Sequence, residues 1–242
     1  MSRIFITGSA DGLGQLAAKL LISEKHKVVL HARNEERGRD AKKASPGAEA
    51  VVVGDLSDIN ETRSVAKQVN DLGHFDAIIH NAGVYAVSSK LITAVNTLAP
   101  YILTCLINRP SRLIYLSSGD HMHGRPNFDS ISTGRLTYAD SKLHDVMLSM
   151  AVARKWKNVL SNAIDPGWVP TKMGGRGAPD DLDKGYETQA WLAVSDDPKA
   201  KVSGKYFHHQ KESRYRHEAD DVALQEKFLD VCAEVTGIKL EP

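Results

Sequence analysis

Thr7-Gly8-Ser9-Ala10-Asp11-Gly12-Leu13-Gly14 joins a short apolar run to an amphipathic one, and its reading decides the fold. Arg3 to Thr7 is a strand candidate. Gly12 to Glu24 follows as a helix, with Leu13, Leu16, Ala17, Leu20 and Leu21 on one stripe. Gly8 allows the turn, Gly12 lets backbone approach a pyrophosphate, and Gly14 permits close helix–strand packing. The helix start then offers free N–H groups and a positive dipole end to phosphate. Glycines also mark ordinary tight turns. Here they lie between a strand and a well-patterned helix, the context that marks a dinucleotide cradle.

The same alternation continues outward. Lys27 to Leu30, Glu49 to Gly54, Phe75 to His80, Leu113 to Ser117, Val159 to Ile164 and a weaker Lys205 to His208 read as further strands. Ile59 to Leu72, Lys90 to Ile107, Tyr138 to Trp156, Tyr186 to Val194 and Asp221 to Val235 read as helices, the last closed by Gly237. Leu143, Met147 and Met150 stripe the long helix and read as core. Strand–helix–strand repetition without hairpin signals implies right-handed βαβ units and a parallel sheet. The strands are apolar on both faces, as a sheet covered on both sides requires. The expected architecture is a single α/β domain over 1–242, a Rossmann-type doubly wound parallel sheet of about seven strands.

Composition narrows the function classes. Of 242 residues 42% are hydrophobic, which excludes a disordered chain. Lys and Arg number 31 against 30 Asp and Glu, so no general field favours nucleic acid or an anionic membrane. No run approaches the roughly 18 apolar residues of a membrane span. The N-terminus lacks a signal-peptide pattern, so the cytoplasm is the expected compartment. Cys105 and Cys232 fall in apolar helical patterns and read as small core residues. The charge-dense segment 33–43 reads as a solvated helix face, and the basic run from Lys211 to His217 as a solvated connection.

An NAD binder usually carries an acid at the end of the second strand for the ribose 2′-OH. This chain has His31-Ala32-Arg33-Asn34 there. Arg33 could grip a 2′-phosphate through a charge-assisted contact, with Ser9 near enough in the loop to help. NADP(H) is favoured over NAD.

Tyr138-Ala139-Asp140-Ser141-Lys142 opens the long helix. Residues i and i+4 share a helical face, so phenol and ammonium can point into one pocket. A phenol titrates near about 10, and a nearby cation lowers that value, giving a tunable acid/base.

Together with the glycine loop, Asn81-Ala82-Gly83, Ser117-Ser118 and the segment from Asp165 to Thr171, this chain resembles the short-chain dehydrogenase/reductase family over nearly its whole length. The resemblance implies a nicotinamide-dependent oxidoreductase, which with the reading of Arg33 is NADP(H)-dependent. Hydride would pass between nicotinamide and a carbonyl or secondary alcohol, with Tyr138 as general acid/base. Lys142 would lower the phenol's pKa and hold the nicotinamide ribose. Ser118 would orient the carbonyl oxygen, and Asn96 would position a water for proton relay. Gly8, Ser9, Asp11, Gly12, Leu13, Gly14 and Arg33 would line the cofactor, as would Asp55 and Leu56 near adenine and Asn81 to Gly83 beside it. Pro166, Gly167, Val169 and Thr171 would flank the nicotinamide. The partner is a small molecule, and homodimers or homotetramers are expected through the helices beginning near residues 90 and 138.

The segment from Gly83 to Asn96 is short for the family, Gly119 to Thr137 forms an extended insert, and the segment after Thr171 is compact and Gly-rich. These regions shape the substrate pocket, and Trp168 could wall it. His121-Met122-His123 looks like a metal pair but lacks a third ligand at a useful spacing, and reads as a polar loop that could line the pocket's mouth. His208-His209 reads as strand-end surface. His144 and Asp145 form no nucleophile–base pair. The alternatives are a dinucleotide-binding sensor without turnover, which would need no Ser118, Tyr138 and Lys142 together, and a sugar-nucleotide epimerase or dehydratase, which usually adds a larger C-terminal region.

Overall fold

The computed structural model describes residues 1–241. Its helices and strands follow the expected alternation: β1 Arg3–Ile6, α1 Gly12–Ser23, β2 Lys27–Ala32, α2 Glu35–Ala44, β3 Ala50–Val53, α3 Ile59–Asp71 and β4 Ala77–His80. There follow α4 Ser89–Ile92, α5 Ala99–Leu106, β5 Arg112–Leu116, α6 Phe128–Thr133, α7 Tyr138–Lys155 and β6 Leu160–Asp165. Last come α8 Leu182–Val194, β7 Lys205–His208, β8 Lys211–Glu212 and α9 Val222–Thr236. The sheet order is β3-β2-β1-β4-β5-β6-β7-β8, parallel throughout except for β8. The order reverses at β1, so a crevice opens beyond the carboxyl ends of β1 and β4.

Both faces of the sheet are dry. Phe5, Val29, Ile78 and Tyr115 point into one core, and Ile4, Ile6, Val28, Leu30, Ile79 and Ile114 into the other. The period-2 alternation of side chains therefore puts apolar groups at every position, which explains the unbroken runs.

Three features depart from the pattern expected of the sequence. The helix expected from Lys90 to Ile107 contains a π turn over Thr93–Leu98, between α4 and α5. The Lys211–Glu212 part of the supposed connection pairs with β7 as an eighth, antiparallel strand. Its hairpin turn, His209-Gln210, holds both residues in the left-handed region without glycine, so the usual signal was missing. The insert is packed: it forms a 3₁₀ helix over Gly119–His123 and then α6, with Phe128, Ile131 and Leu136 buried.

α7 goes beyond its Leu/Met stripe, since every residue from Asp140 to Val152 is buried. The 3₁₀ helices, α6 and α9 close around it and its partners. One of the helices expected to pair with a second copy thus keeps no open apolar face along that stretch.

Candidate active site

The glycine loop is held by distant partners. Gly8 has φ +63°, and a Cβ there would lie 2.8 Å from Ala82 Cα. At Gly14 a Cβ would lie 2.4 Å from Asn81 Nδ2, which donates to the carbonyls of Thr7 (2.9 Å) and Gly8 (3.1 Å). The Ala82 N–H donates to Thr7 Oγ1 (3.0 Å). Gly14→Ala must therefore push Asn81 off the loop, and a loss of about 1–3 kcal/mol is expected. Urea titration of both proteins checks this, and equal midpoints would contradict it.

The N-terminus of α1 has no side-chain cap and no acid in its first turn. By contrast α2, α3, α7, α8 and α9 are capped by Asn34, Asp58, Thr137, Asp181 and Asp221. The glycines leave space and the uncapped first turn leaves unspent N–H groups, a donor set that suits a pyrophosphate.

Ser9 takes a different part from the one expected. It is fully buried; its hydroxyl donates to the Ile6 carbonyl (2.9 Å) and accepts from His31 N–H (2.9 Å). It ties the loop to β2 and cannot reach a phosphate. His31, noted in the sequence only as a missing acid, completes this tie. Its Nδ1 accepts from Gly8 N–H (3.0 Å) and its Nε2 donates to the Gly54 carbonyl (2.9 Å). Those partners require the neutral ring protonated on Nε2, and burial holds its pKa down at about 4.

Arg33 is exposed and makes no hydrogen bond or ion pair among the described residues. With Asn34, Glu35, Val53, Gly54, Asp55 and Glu61 it lines an open cavity of about 530 Å³. Asp55 shapes one wall, accepting from Ser57 N–H (2.8 Å), while Leu56 is buried beneath. Arg37, inside the charged run that forms α2, pairs with Asp11 at 2.5 Å, and Lys172 reaches Asp11 from the segment after β6 at 3.1 Å. Burial works against the Asp11 carboxylate, but Lys172 and Arg37 outweigh it and hold its pKa below the ordinary value.

Beyond β6, Gly167 takes φ +80° and its N–H donates to Asp165 Oδ1 (2.9 Å). A Cβ at Gly185 in α8 would lie 2.9 Å from Val169 Cγ1, 3.1 Å from the Pro166 carbonyl oxygen and 3.3 Å from Leu13 Cδ2. This glycine lets the post-β6 segment close on the cradle. Thr171 Oγ1 accepts from Gly174 N–H (3.2 Å). Trp168 is 61% exposed and its indole N–H is bound to the Gly174 carbonyl (2.8 Å), so it stands at the rim rather than forming an inner wall.

Tyr138, Lys142 and Ser118 converge as the spacing suggested. The capping box of Thr137 and Asp140 fixes the first turn of α7. The Ser118 hydroxyl stands near enough to the Tyr138 phenol to favour its ionisation, and Lys142 Nζ lies 5.6 Å from its ring centroid. The expected lowering of the phenol's pKa does not win here. Burial raises it, Lys142 and Ser118 pull it down, Asp145 and Asp120 push it back up, and the balance is above the ordinary value.

Asn96 is also recast. In the π turn its Oδ1 accepts from Val84 N–H (2.8 Å), and its Nδ2 donates to the Val84 carbonyl (3.0 Å) and to Ser141 Oγ (3.1 Å). Both amide hydrogens are used on protein groups. The side chain staples the Gly83–Val84 loop to α7 and presents no free N–H to a water.

His121 is buried against Tyr206, with Nδ1 2.7 Å from the Ser118 carbonyl, so it backs the serine instead of lying in a polar loop. His208 and His209 are half-buried and stacked at 3.8 Å, with His208 Nδ1 3.2 Å from Asp165 Oδ2, so they are no simple surface. Among the described residues no cluster of three or more His, Cys, Asp or Glu could hold a metal, and no helix is long and apolar enough to cross a membrane.

The short chain dehydrogenase family model matches residues 2–108. The chain is 47% identical to an uncharacterised oxidoreductase of Emericella nidulans, across 98% of each protein. It is 40% identical to a short-chain dehydrogenase of Penicillium rubens, across 99% of each. Among solved structures, an uncharacterised protein from Mycobacterium paratuberculosis superposes with TM-score 0.83 at 22% identity, covering 100% of this chain and 96% of that one. A blue fluorescent protein from a metagenomic library, in complex with NADPH, gives 0.71 at 19% identity, covering 85% and 95%. With a doubly wound sheet, a glycine cradle at its switch point and relatives of this identity along its full length, the chain is an oxidoreductase that belongs to the short-chain dehydrogenase/reductase family.

Proposed function

We propose that the protein is an NADP(H)-dependent oxidoreductase that interconverts a carbonyl and a secondary or primary alcohol, with Tyr138 as general acid/base. The observation that carries this reading is the meeting of the Ser118 hydroxyl, the Tyr138 phenol and the Lys142 ammonium at the carboxyl edge of the sheet, beside an uncapped glycine cradle. Bound there, a nicotinamide supplies or accepts the hydride. Gly8, Gly12, Leu13 and Gly14 hold its pyrophosphate against the first turn of α1, with Asp11 beside them neutralised by Arg37 and Lys172. Asp55 and Leu56 flank the adenine, and Asn81 to Gly83 with Pro166, Gly167, Val169 and Thr171 flank the nicotinamide half. Ser118 orients the substrate oxygen, Tyr138 gives it a proton in reduction and removes one in oxidation, and Lys142 steadies the phenolate formed.

The loops around the carboxyl ends of the strands carry exposed apolar side chains. Tyr85, Met122, Trp168 and Met173 are exposed large side chains on the loops after β4, β5 and β6, and Tyr85 packs edge-on against Tyr138 at 4.9 Å. A rim built from these loops would suit a carbonyl compound with a bulky apolar body over a small hydrophilic one.

NADP(H) preference is attributed to Arg33, a free guanidinium over the cavity at the end of β2. Arg33→Asp is expected to raise the Kd for NADPH about 10- to 100-fold, as losing a charge-assisted contact implies, and to leave NADH nearly unchanged. Fluorescence titration with both nucleotides checks it. Equal losses would remove the 2′-phosphate role. Cofactor consumption against a panel of small, bulky and aromatic carbonyls tests the activity itself, and tight NADPH binding with no turnover on any of them would count against it.

A further inference from the structure

Lys142 does not face Tyr138 alone. Its side chain is 6% exposed, and its ammonium has three hydrogens to place. One goes to the Leu116 carbonyl (2.7 Å) and one to Asp145 Oδ2 (2.9 Å). The third has no protein acceptor among the described residues. Nζ stands beside Gly83, where a Cβ would lie 3.5 Å away, and 5.6 Å from the Tyr138 ring centroid. Asp145 is 5% exposed at its side chain and Lys142 is its one hydrogen-bond partner among the described residues. The carboxylate thus lies one turn behind the ammonium on the same helix, away from the cleft.

We propose that Asp145 is a positioning residue for the proton-transfer pair: by gripping one ammonium hydrogen it turns the free one toward Tyr138 and the cleft, and its buried negative charge opposes phenolate formation. The second part follows from Coulomb's law in a dry site, where charges act on one another far more strongly than in water. Lys142 favours the phenolate and Asp145 disfavours it, so the helix carries a cation bracketed by two acids.

The surrounding charges are few. Around Tyr138 are Lys142 and Asp145 on α7, Ser118 at the end of β5, Asp120 in the following 3₁₀ helix, Tyr85 after β4 and Tyr206 on β7. Around Asp145 are Lys142, Tyr138, Tyr115 on β5 and Tyr206 on β7. Burial raises the Asp145 carboxyl to about 6 despite Lys142. Burial also works against the Lys142 ammonium, but Asp145 and Tyr138 outweigh it and hold its pKa above the lysine value. In the alkaline range where a phenol titrates, the Asp145 carboxyl is ionised.

This inference rests on the proposed role of Tyr138, but its test needs no turnover. Phenolate absorbance is titrated in the cofactor-free protein, and the difference from Tyr138→Phe isolates one phenol among seven tyrosines. Asp145→Asn keeps an acceptor in place and removes the charge, and is expected to lower the Tyr138 midpoint by about one pH unit. Lys142→Met should move it the other way. Asp145→Ser, which leaves room for a water beside the ammonium, serves if Asn does not fold, and the same downward shift is expected. An unchanged or raised midpoint in the folded variant would refute the proposal and reduce Asp145 to a counter-ion for a buried lysine. Where turnover is measured, the limb of the kcat/KM profile assigned to Tyr138 should shift by the same amount. Wild-type protein inert toward every carbonyl would defeat the functional reading while leaving the titration result standing.

Discussion

Tyr138→Phe is expected to lower kcat by about 10²- to 10⁴-fold, the range a single general acid/base contributes. The substitution removes one oxygen. The ring keeps its edge-on contact with Tyr85, and Lys142 keeps its bonds to Leu116 and Asp145. The glycine cradle and Arg33 are untouched, so NADPH affinity should change by less than about threefold. A fall in kcat with an unchanged cofactor Kd identifies an interaction made in the transition state and not in the ground state. Turnover near wild type would remove Tyr138 from the chemistry, and a parallel collapse of cofactor binding would show the phenol to be structural.

Acid should unfold this protein steeply between about pH 6.5 and 4. His31, His80 and His144 are buried and neutral, with burial pushing their pKa values down to about 4, about 3 and about 4. Folded values below the unfolded 6.5 mean that the unfolded chain binds more protons as pH falls. Their contribution is complete above pH 6.5 and is lost on the way down. Asp145 runs the other way. Its folded value near 6 exceeds the unfolded one, so the native state takes up a proton there and offsets one of the three. These four groups leave about two net protons, roughly 3 kcal/mol per pH unit near pH 5, and His121 and His26, whose pKa values burial also lowers, act in the same direction. For a domain of this size that is roughly 6–12 °C in Tm per unit. Thermal melts from pH 7.5 to 4.5 test the slope, and a flat Tm from pH 7 to 5 would contradict it. His31 gives the loss a functional edge. A proton on its Nδ1 would break the bond from Gly8 N–H, so the cradle should loosen before the sheet does.

Much of the fold was legible because parallel sheets buried on both faces leave apolar runs that need no partner to be recognised. β1 and α1 flank their glycines as expected, and β7 appears with the expected bounds. The π turn was not legible, because Asn96 sits in a helical pattern and only its bonds to Val84 and Ser141 show where the extra residue goes. The β7–β8 turn was hidden because His209 and Gln210 adopt a conformation that sequence assigns to Gly or Asn. Ser9 looked available for a phosphate because adjacency in the loop says nothing about direction.

Taken alone, the amino-acid sequence determined the doubly wound sheet, the glycine turn at its switch point and the pairing of Tyr138 with Lys142. These depend on local quantities: side-chain period, the conformational freedom of Gly8 and a spacing of four along one helix. Tertiary structure alone decided that the Tyr138 phenol is hard to ionise, that Lys142 is shared with Asp145, and that His31 anchors Gly8. Desolvation and hydrogen-bond partnership are set by what distant segments bring to a site, here β5, the insert and α9 closing around α7, and no spacing along the chain encodes them.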